Sequence, residues 1–309
     1  MLASHGSFGN EGHAITAMSH EGRRPPRRPP LRRLARCAAL GVALGLWAAL
    51  WAPAPAAAQS SAQFSPQPSV QSPPPAQSAR RLATAEEQDA WEAIGRVNAG
   101  GAGFCTGTLI APDLVITAAH CVINPRTGRM WLPTSIHFVA GFRKGAFAAH
   151  RVASAVAILN PEESRPKGRN ATLSYVPRDL AVLRLGRRIT AQEVRPLPLA
   201  VRGAEAGEAV QVLSYGRDRP QALSIEEICP ILQRRGDVLF TRCEATPGVS
   251  GAPLVRLGPG GGREGASVLG VVSVMSVSAL GGPALPPGAG VATAAAADRL
   301  GPRLIRDLQ

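Results

Sequence analysis

Apolar runs of strand length, cut short by glycine, proline or asparagine, recur along the chain from about Ala83 onward, and no other feature constrains the fold as strongly. AIGRV, FCTGTLI and LVITAAH come first; IHFVAGF, RVASAVAIL, DLAVLRL, AVQVLSYG, DVLFTRC, APLVRL and SVLGVVSVMSVS follow, each set off by turn residues. Short strands at turn intervals predict an all-β body, a barrel or a sandwich. The 33 glycines, 28 prolines and 4% aromatics favour many turns over long helices. At 309 residues and 45% apolar content the chain has material for proper cores. No internal sequence repeat is visible. The final segment, ATAAAADRLGPRLIRDLQ, is different: Leu300, Leu304, Ile305 and Leu308 would share one face, which predicts a closing helix despite Gly301 and Pro302.

The first 58 residues read as an N-terminal extension and signal peptide. A basic stretch at 23–36 runs into an apolar stretch at 37–52 and then into the small residues PAPAAAQS, with cleavage expected after Ala58. The apolar stretch is shorter than the ~20 residues of a spanning helix and is followed by Pro53 and Pro55, so no lasting membrane anchor is expected. Residues 59–82, rich in Pro, Ser and Gln, read as a disordered linker or pro-segment. The formal charge of +13 owes much to this leader: seven Arg against two Glu lie before residue 59, which leaves +8 for the rest. No later basic run is interleaved with aromatics, so nucleic acid is not an expected partner.

Cys37 lies within the signal segment. The other four cysteines, Cys105, Cys121, Cys229 and Cys243, are an even number in a chain expected in an oxidising space, which predicts two disulfides. Three pairings are open; proximity favours Cys105 with Cys121 and Cys229 with Cys243. With no C-x-x-C and only His120 adjacent, no metal site is expected.

Three stretches carry chemistry. Thr117-Ala118-Ala119-His120-Cys121 ends in a cysteine sixteen positions after Cys105; Arg178-Asp179-Leu180-Ala181-Val182-Leu183 places an aspartate before an apolar strand; Thr246-Pro247-Gly248-Val249-Ser250-Gly251-Ala252-Pro253-Leu254 places a serine on a glycine-rich turn. Their residue types and order resemble the chymotrypsin-like serine peptidases across about residues 83–309. The resemblance implies His120 as general base, Asp179 orienting it, Ser250 as nucleophile, and the Gly248 and Ser250 amides as an oxyanion hole. The chemistry needs this set because a serine hydroxyl is a poor nucleophile until an oriented imidazole takes its proton. His137, His150, Asp113 and Asp218 have ordinary surface readings.

The same resemblance implies two antiparallel six-stranded Greek-key β-barrels, at 83–198 and 199–309, with a C-terminal helix. It also implies polypeptide substrates and no cofactor; a monomer is expected, and the leader directs it to the periplasm or beyond. Val249 replaces the aspartate that precedes the serine in animal digestive enzymes, and no Ile-Val-Gly-Gly start is present, so activation by a new N-terminal ammonium is not expected. Cys243, seven before Ser250, is similar to the bacterial glutamyl-endopeptidase-like branch. Val272, Ser273, Val274 and Met275 are the implied substrate-binding residues, although Val272 stands where glutamate-specific relatives carry histidine. A non-catalytic peptide- or protein-binding module on the same barrels is the alternative. An esterase is disfavoured because Gly248-Val249-Ser250-Gly251-Ala252 lacks the last glycine of G-x-S-x-G.

Overall fold

The structure, a computed structural model, describes residues 80–101, 103–159, 174–244, 246–274 and 292–309. The extension, the signal segment, most of the linker and Met275 lie outside them. All described residues fall within one compact unit, Val70–Gln309.

The described chain opens with strand β1 (Arg80–Leu82) and helix α1 (Ala85–Ala90). Thr84 caps that helix: its side chain accepts from the Glu87 amide while Glu87 reaches back to the Thr84 amide. Strands β2 (Ile94–Ala99), β3 (Phe104–Ala111), β4 (Leu114–Thr117), β5 (Ile136–Ala140), β6 (Ala149–Ile158) and β7 (Ala181–Leu185) follow. They close into a barrel in the order β2-β3-β4-β7-β6-β5, with β5 paired back on β2. Alternation places one face inward: Ile136, Phe138 and Ala140 of β5 are buried while His137 and Val139 between them are half-exposed.

The second set is β8 (Ala209–Ser214), β9 (Ser224–Arg235), β10 (Val238–Thr241), β11 (Pro253–Arg256), β12 (Ser267–Val274) and β13 (Ala292–Ala296). It runs β8-β9-β10-β13-β12-β11, and the β8–β11 pairing closes the ring. In both rings the strands therefore follow the path first, second, third, sixth, fifth, fourth. β1 adds to the second ring as an extra strand on β9. Helix α2 (Ala297–Asp307) closes the chain; Leu304 is fully buried, and Gly301 lets the helix approach Leu199, where a Cβ would lie 2.7 Å from a leucine methyl.

The all-β fold with two six-stranded antiparallel barrels and a terminal helix agrees with the sequence reading, and so do the two disulfides, Cys105–Cys121 and Cys229–Cys243. Three elements were not legible. β9 carries Glu226, Glu227, Pro230, Arg234 and Arg235, so its strand pattern is masked by charge. The alanines of β13 read as the start of a helix, but they lie between β10 and β12, where small side chains fit, and the helix begins only at Ala297. Arg80–Leu82, read as the end of the linker, is strand β1.

Candidate active site

The histidine turn is a local consequence of strand β4 ending at Thr117, after which a short 3-10 turn, Ala119–Val122, carries His120 and Cys121. The Cys105–Cys121 bond ties that turn to β3, with the Cα atoms 6.0 Å apart. Asp179 follows a second 3-10 turn, Val176–Arg178, immediately before β7, and is fully buried. Since β4 and β7 are neighbours in the ring, the two turns meet at one end of it. The His120 amide donates to Asp179 Oδ1 at 2.9 Å, and His120 Nδ1 lies 2.8 Å from Oδ2. An Nδ1–H directed at the carboxylate leaves Nε2 as the free lone pair of the ring. Burial disfavours the charged imidazole, but the Asp179 charge and hydrogen bond outweigh it, so the His120 pKa lies above its ordinary value of 6.5.

Ser250 comes from the second barrel, on the turn between β10 and β11, and lines the same cleft as His120. That cleft, about 550 Å³, is walled by the disulfide Cys105–Cys121, by Phe104, Ile123 and Trp131 of the first barrel, and by Arg217 and Gly248 of the second. Among the described residues the Ser250 hydroxyl has no hydrogen-bond partner, and the amides of Gly248 and Ser250 make no hydrogen bond. The neighbouring amides are all used: Val249 donates to Thr246, Gly251 to Val272 and Ala252 to Val249. Two donors without partners at the nucleophile turn, in a site shared with an oriented imidazole, are what oxyanion stabilisation requires.

Residues 105–258 match the family model described as a trypsin-like peptidase domain. This chain carries a trypsin-like peptidase domain. Serine protease 23 of Bos taurus is 27% identical over 166 residues, and that of Rattus norvegicus 29% over 167. Each alignment takes in 48% of this chain and 42% of the relative, so the match spans less than half the length of these proteins. A solved Glu endopeptidase, in complex with MPD, superposes with a TM-score of 0.57 at 15% identity, covering 75% of this chain and 97% of that one. At that identity the likeness is one of fold.

Within the peptidase domain the nucleophile turn is backbone-limited. Gly248 has φ +98°, and a Cβ there would lie 2.7 Å from the Tyr215 carbonyl; Gly251 has φ +82°, and a Cβ would lie 2.1 Å from the Thr106 carbonyl. Only glycine fits either place. Thr106, fully buried on β3 of the other barrel, grips this turn. Its hydroxyl donates to the Gly248 carbonyl at 3.1 Å and accepts from the Tyr215 amide at 2.9 Å; its amide donates to the Ser250 carbonyl at 2.9 Å, and its own carbonyl accepts from Thr117. The Pro247 carbonyl is taken by the Arg217 amide at 2.7 Å, not by Ser250. That leaves the Ser250 amide available to a ligand.

The expected substrate strand contributes differently along its length. Val272 is buried in the second core, and its backbone amide and carbonyl are both spent on Ala252 and Gly251. Ser273 turns its hydroxyl inward to donate to Asp179 Oδ2, a third hydrogen bond on that carboxylate that the motif did not disclose. Val274 pairs with Thr293 through the backbone. Tyr175, buried beside Asp179, has its pKa raised by desolvation first and by the Asp179 charge second. Asp218, read as an ordinary surface residue, pairs with the buried Arg80. His137 and His150 stack on the first barrel, joined by one hydrogen bond, and neither lines the cleft. Cys105, His120 and Cys121 cluster as metal ligands would, but both sulfurs belong to the disulfide, so no thiolate is present to bind one.

Proposed function

We propose that this chain is an exported serine endopeptidase in which His120, Asp179 and Ser250 act as a triad. Nε2 of His120 takes the Ser250 proton as Oγ attacks the scissile carbonyl, and the negative charge that develops on its oxygen is received by the Gly248 and Ser250 amides. The imidazolium then gives its proton to the leaving amine. The C–N bond breaks and an ester to Ser250 remains, which water, deprotonated by the same ring, hydrolyses to free acid and serine. Asp179 orients the ring without taking its proton, held by the His120 amide, the ring and the Ser273 hydroxyl. Ser273 and Val274 offer backbone groups on the acyl side for an extended polypeptide, as in strand addition.

The single observation that carries this reading is the carboxylate-bound imidazole lining the same cleft as a serine whose own amide and that of Gly248 have no partners among the described residues. Two disulfides, together with the basic-then-apolar leader in the sequence, support an oxidising destination. Covalent labelling by a fluorophosphonate probe tests the nucleophile directly. Wild type is expected to label at one serine and Ser250→Ala not at all; a folded wild type that neither labels nor cleaves peptides would support the binding-module alternative instead.

A further inference from the structure

The bulkiest of the fully buried side chains is a charged one, Arg80. It sits on β1, the strand outside both rings, where the chain arrives from its N-terminal segment. One guanidinium nitrogen donates to Thr246 Oγ1 at 2.9 Å and another to Asp218 Oδ2 at 2.5 Å. Thr246 Oγ1 also reaches Asp218 Oδ1 at 3.4 Å, so cation, carboxylate and hydroxyl form one knot. Gly216 makes room for it: a Cβ there would lie 2.7 Å from the Arg80 guanidinium and 2.2 Å from the Asp218 carboxylate.

Thr246 is a residue of the nucleophile turn. Its carbonyl accepts the Val249 amide, and Pro247 and Gly248 follow directly. A guanidinium taken out of water must be paired and hydrogen-bonded. Here one of its partners is a hydroxyl of the nucleophile turn and another a half-exposed carboxylate, with the Glu226 charge across the strand pair, so its placement couples β1 to that turn. The need is concrete: Val249, fully buried among apolar side chains, offers no charge by which this turn could be anchored from behind.

We infer that Arg80 is a positioning residue for the oxyanion-binding turn, delivered by β1. Its grip on Thr246 complements that of Thr106 on Gly248 from the opposite barrel, and the two hold the Gly248 and Ser250 amides toward the cleft. The inference rests on the proposed hydrolase reading and adds to it that the strand preceding the first barrel is part of the working site.

The test uses the full chain with Arg80→Ala, with its neighbour Arg81→Ala as control; Arg81 is exposed and pairs with Glu87 and Glu227. Cleavage of fluorescently labelled casein, fluorophosphonate labelling and thermal unfolding are followed together. Arg80→Ala is expected to lower turnover ~100-fold, comparable to losing an oxyanion donor. Millimolar guanidinium or ethylguanidinium should restore at least about tenfold of it by refilling the vacated site, an effect that a loss of packing alone would not give. Arg81→Ala should match wild type. Thr246→Val, which removes the grip from the turn side, should lose similar activity without rescue, and it decides the matter should Arg80→Ala fail to fold. Wild-type turnover in Arg80→Ala, or full activity in Thr246→Val, overturns the inference while leaving the hydrolase reading intact. A wild type that neither labels nor cleaves defeats both.

Discussion

The two barrels share a strand path and a staple but divide the chemistry. In the first, Cys105 on the second strand is bonded to Cys121 just past the third; in the second, Cys229 on the second strand is bonded to Cys243 just past the third. Each bridge steadies the segment leaving the third strand, and a candidate catalytic side chain rides on each segment: His120 beside the first bridge, Ser250 seven residues beyond the second. In the proposed reaction the first barrel handles the proton, because its turns pair a buried carboxylate with an imidazole. The second, in the same proposal, handles the developing charge, because its turn keeps two amides without partners among the described residues. Beyond its bridge the first turn is held by the Asp179 carboxylate, which accepts from the His120 amide, and the second by Thr106, the Arg217 amide and Arg80.

The sharpest way to break this division is through the proton-handling half. Asp179→Asn should lower turnover by ~10⁴-fold while keeping the fold, since the amide favours the wrong ring tautomer. It should also move the acidic limb of the pH–rate profile toward lower pH, because the Asp179 charge that raises the His120 pKa is removed. An unchanged limb with full turnover would dissolve the proposed role of the first barrel.

Crossing the division gives the next largest effect. Thr106→Val, a first-barrel change, should act on second-barrel chemistry: ~10²-fold in kcat with little change in KM, and Thr106→Ser should recover most of it. A loss confined to KM would show that Thr106 shapes binding and not the amides.

Removing either bridge by paired Cys→Ala changes should cost about 2–4 kcal/mol of stability by denaturant unfolding. The comparison sharpens if activity, normalised to folded protein, falls more for the first bridge, whose second cysteine adjoins His120. Equal residual activities would argue that the bridges act on stability alone.

The smallest effect concerns the charge buried on the strand that carries the second bridge. Desolvation raises the Glu226 pKa to about 7, although the Glu244 amide hydrogen-bonds its carboxylate. Between the ordinary value of 4.5 and about 7 the folded state binds the proton more tightly than the unfolded one, so stability falls as pH rises through that window. Glu226→Gln should abolish the slope, raising the unfolding temperature by about 4 °C at pH 8 and leaving it unchanged near pH 4. A slope that persists in the variant would assign it to another group.

Much of the first barrel was legible because its strands alternate or run apolar and its histidine turn carries a local motif with a fixed cysteine spacing. The second barrel was read less completely. β9 hides its pairing under Glu226, Glu227 and three C-terminal polar residues, and β13 is written in alanine, whose strand state depends on what lies on either side. Thr106 and Arg80 were invisible as site residues, and Ser273 was expected to meet substrate and not Asp179, for a further reason: each makes side-chain hydrogen bonds to partners far along the chain, and nothing local in sequence signals such bonds.

The sequence by itself determined the all-β class and the candidate chemistry of His120, Asp179 and Ser250, and it favoured one of three cysteine pairings, because each follows from residue type at short range or from order along the chain. The tertiary structure alone decided that the halves repeat one strand path with equivalent bridges, where Ser273 points, and that an arginine outside both rings reaches the nucleophile turn. These depend on which segments pack together, and the same burial that makes an unpaired polar group costly is what fixes their partners.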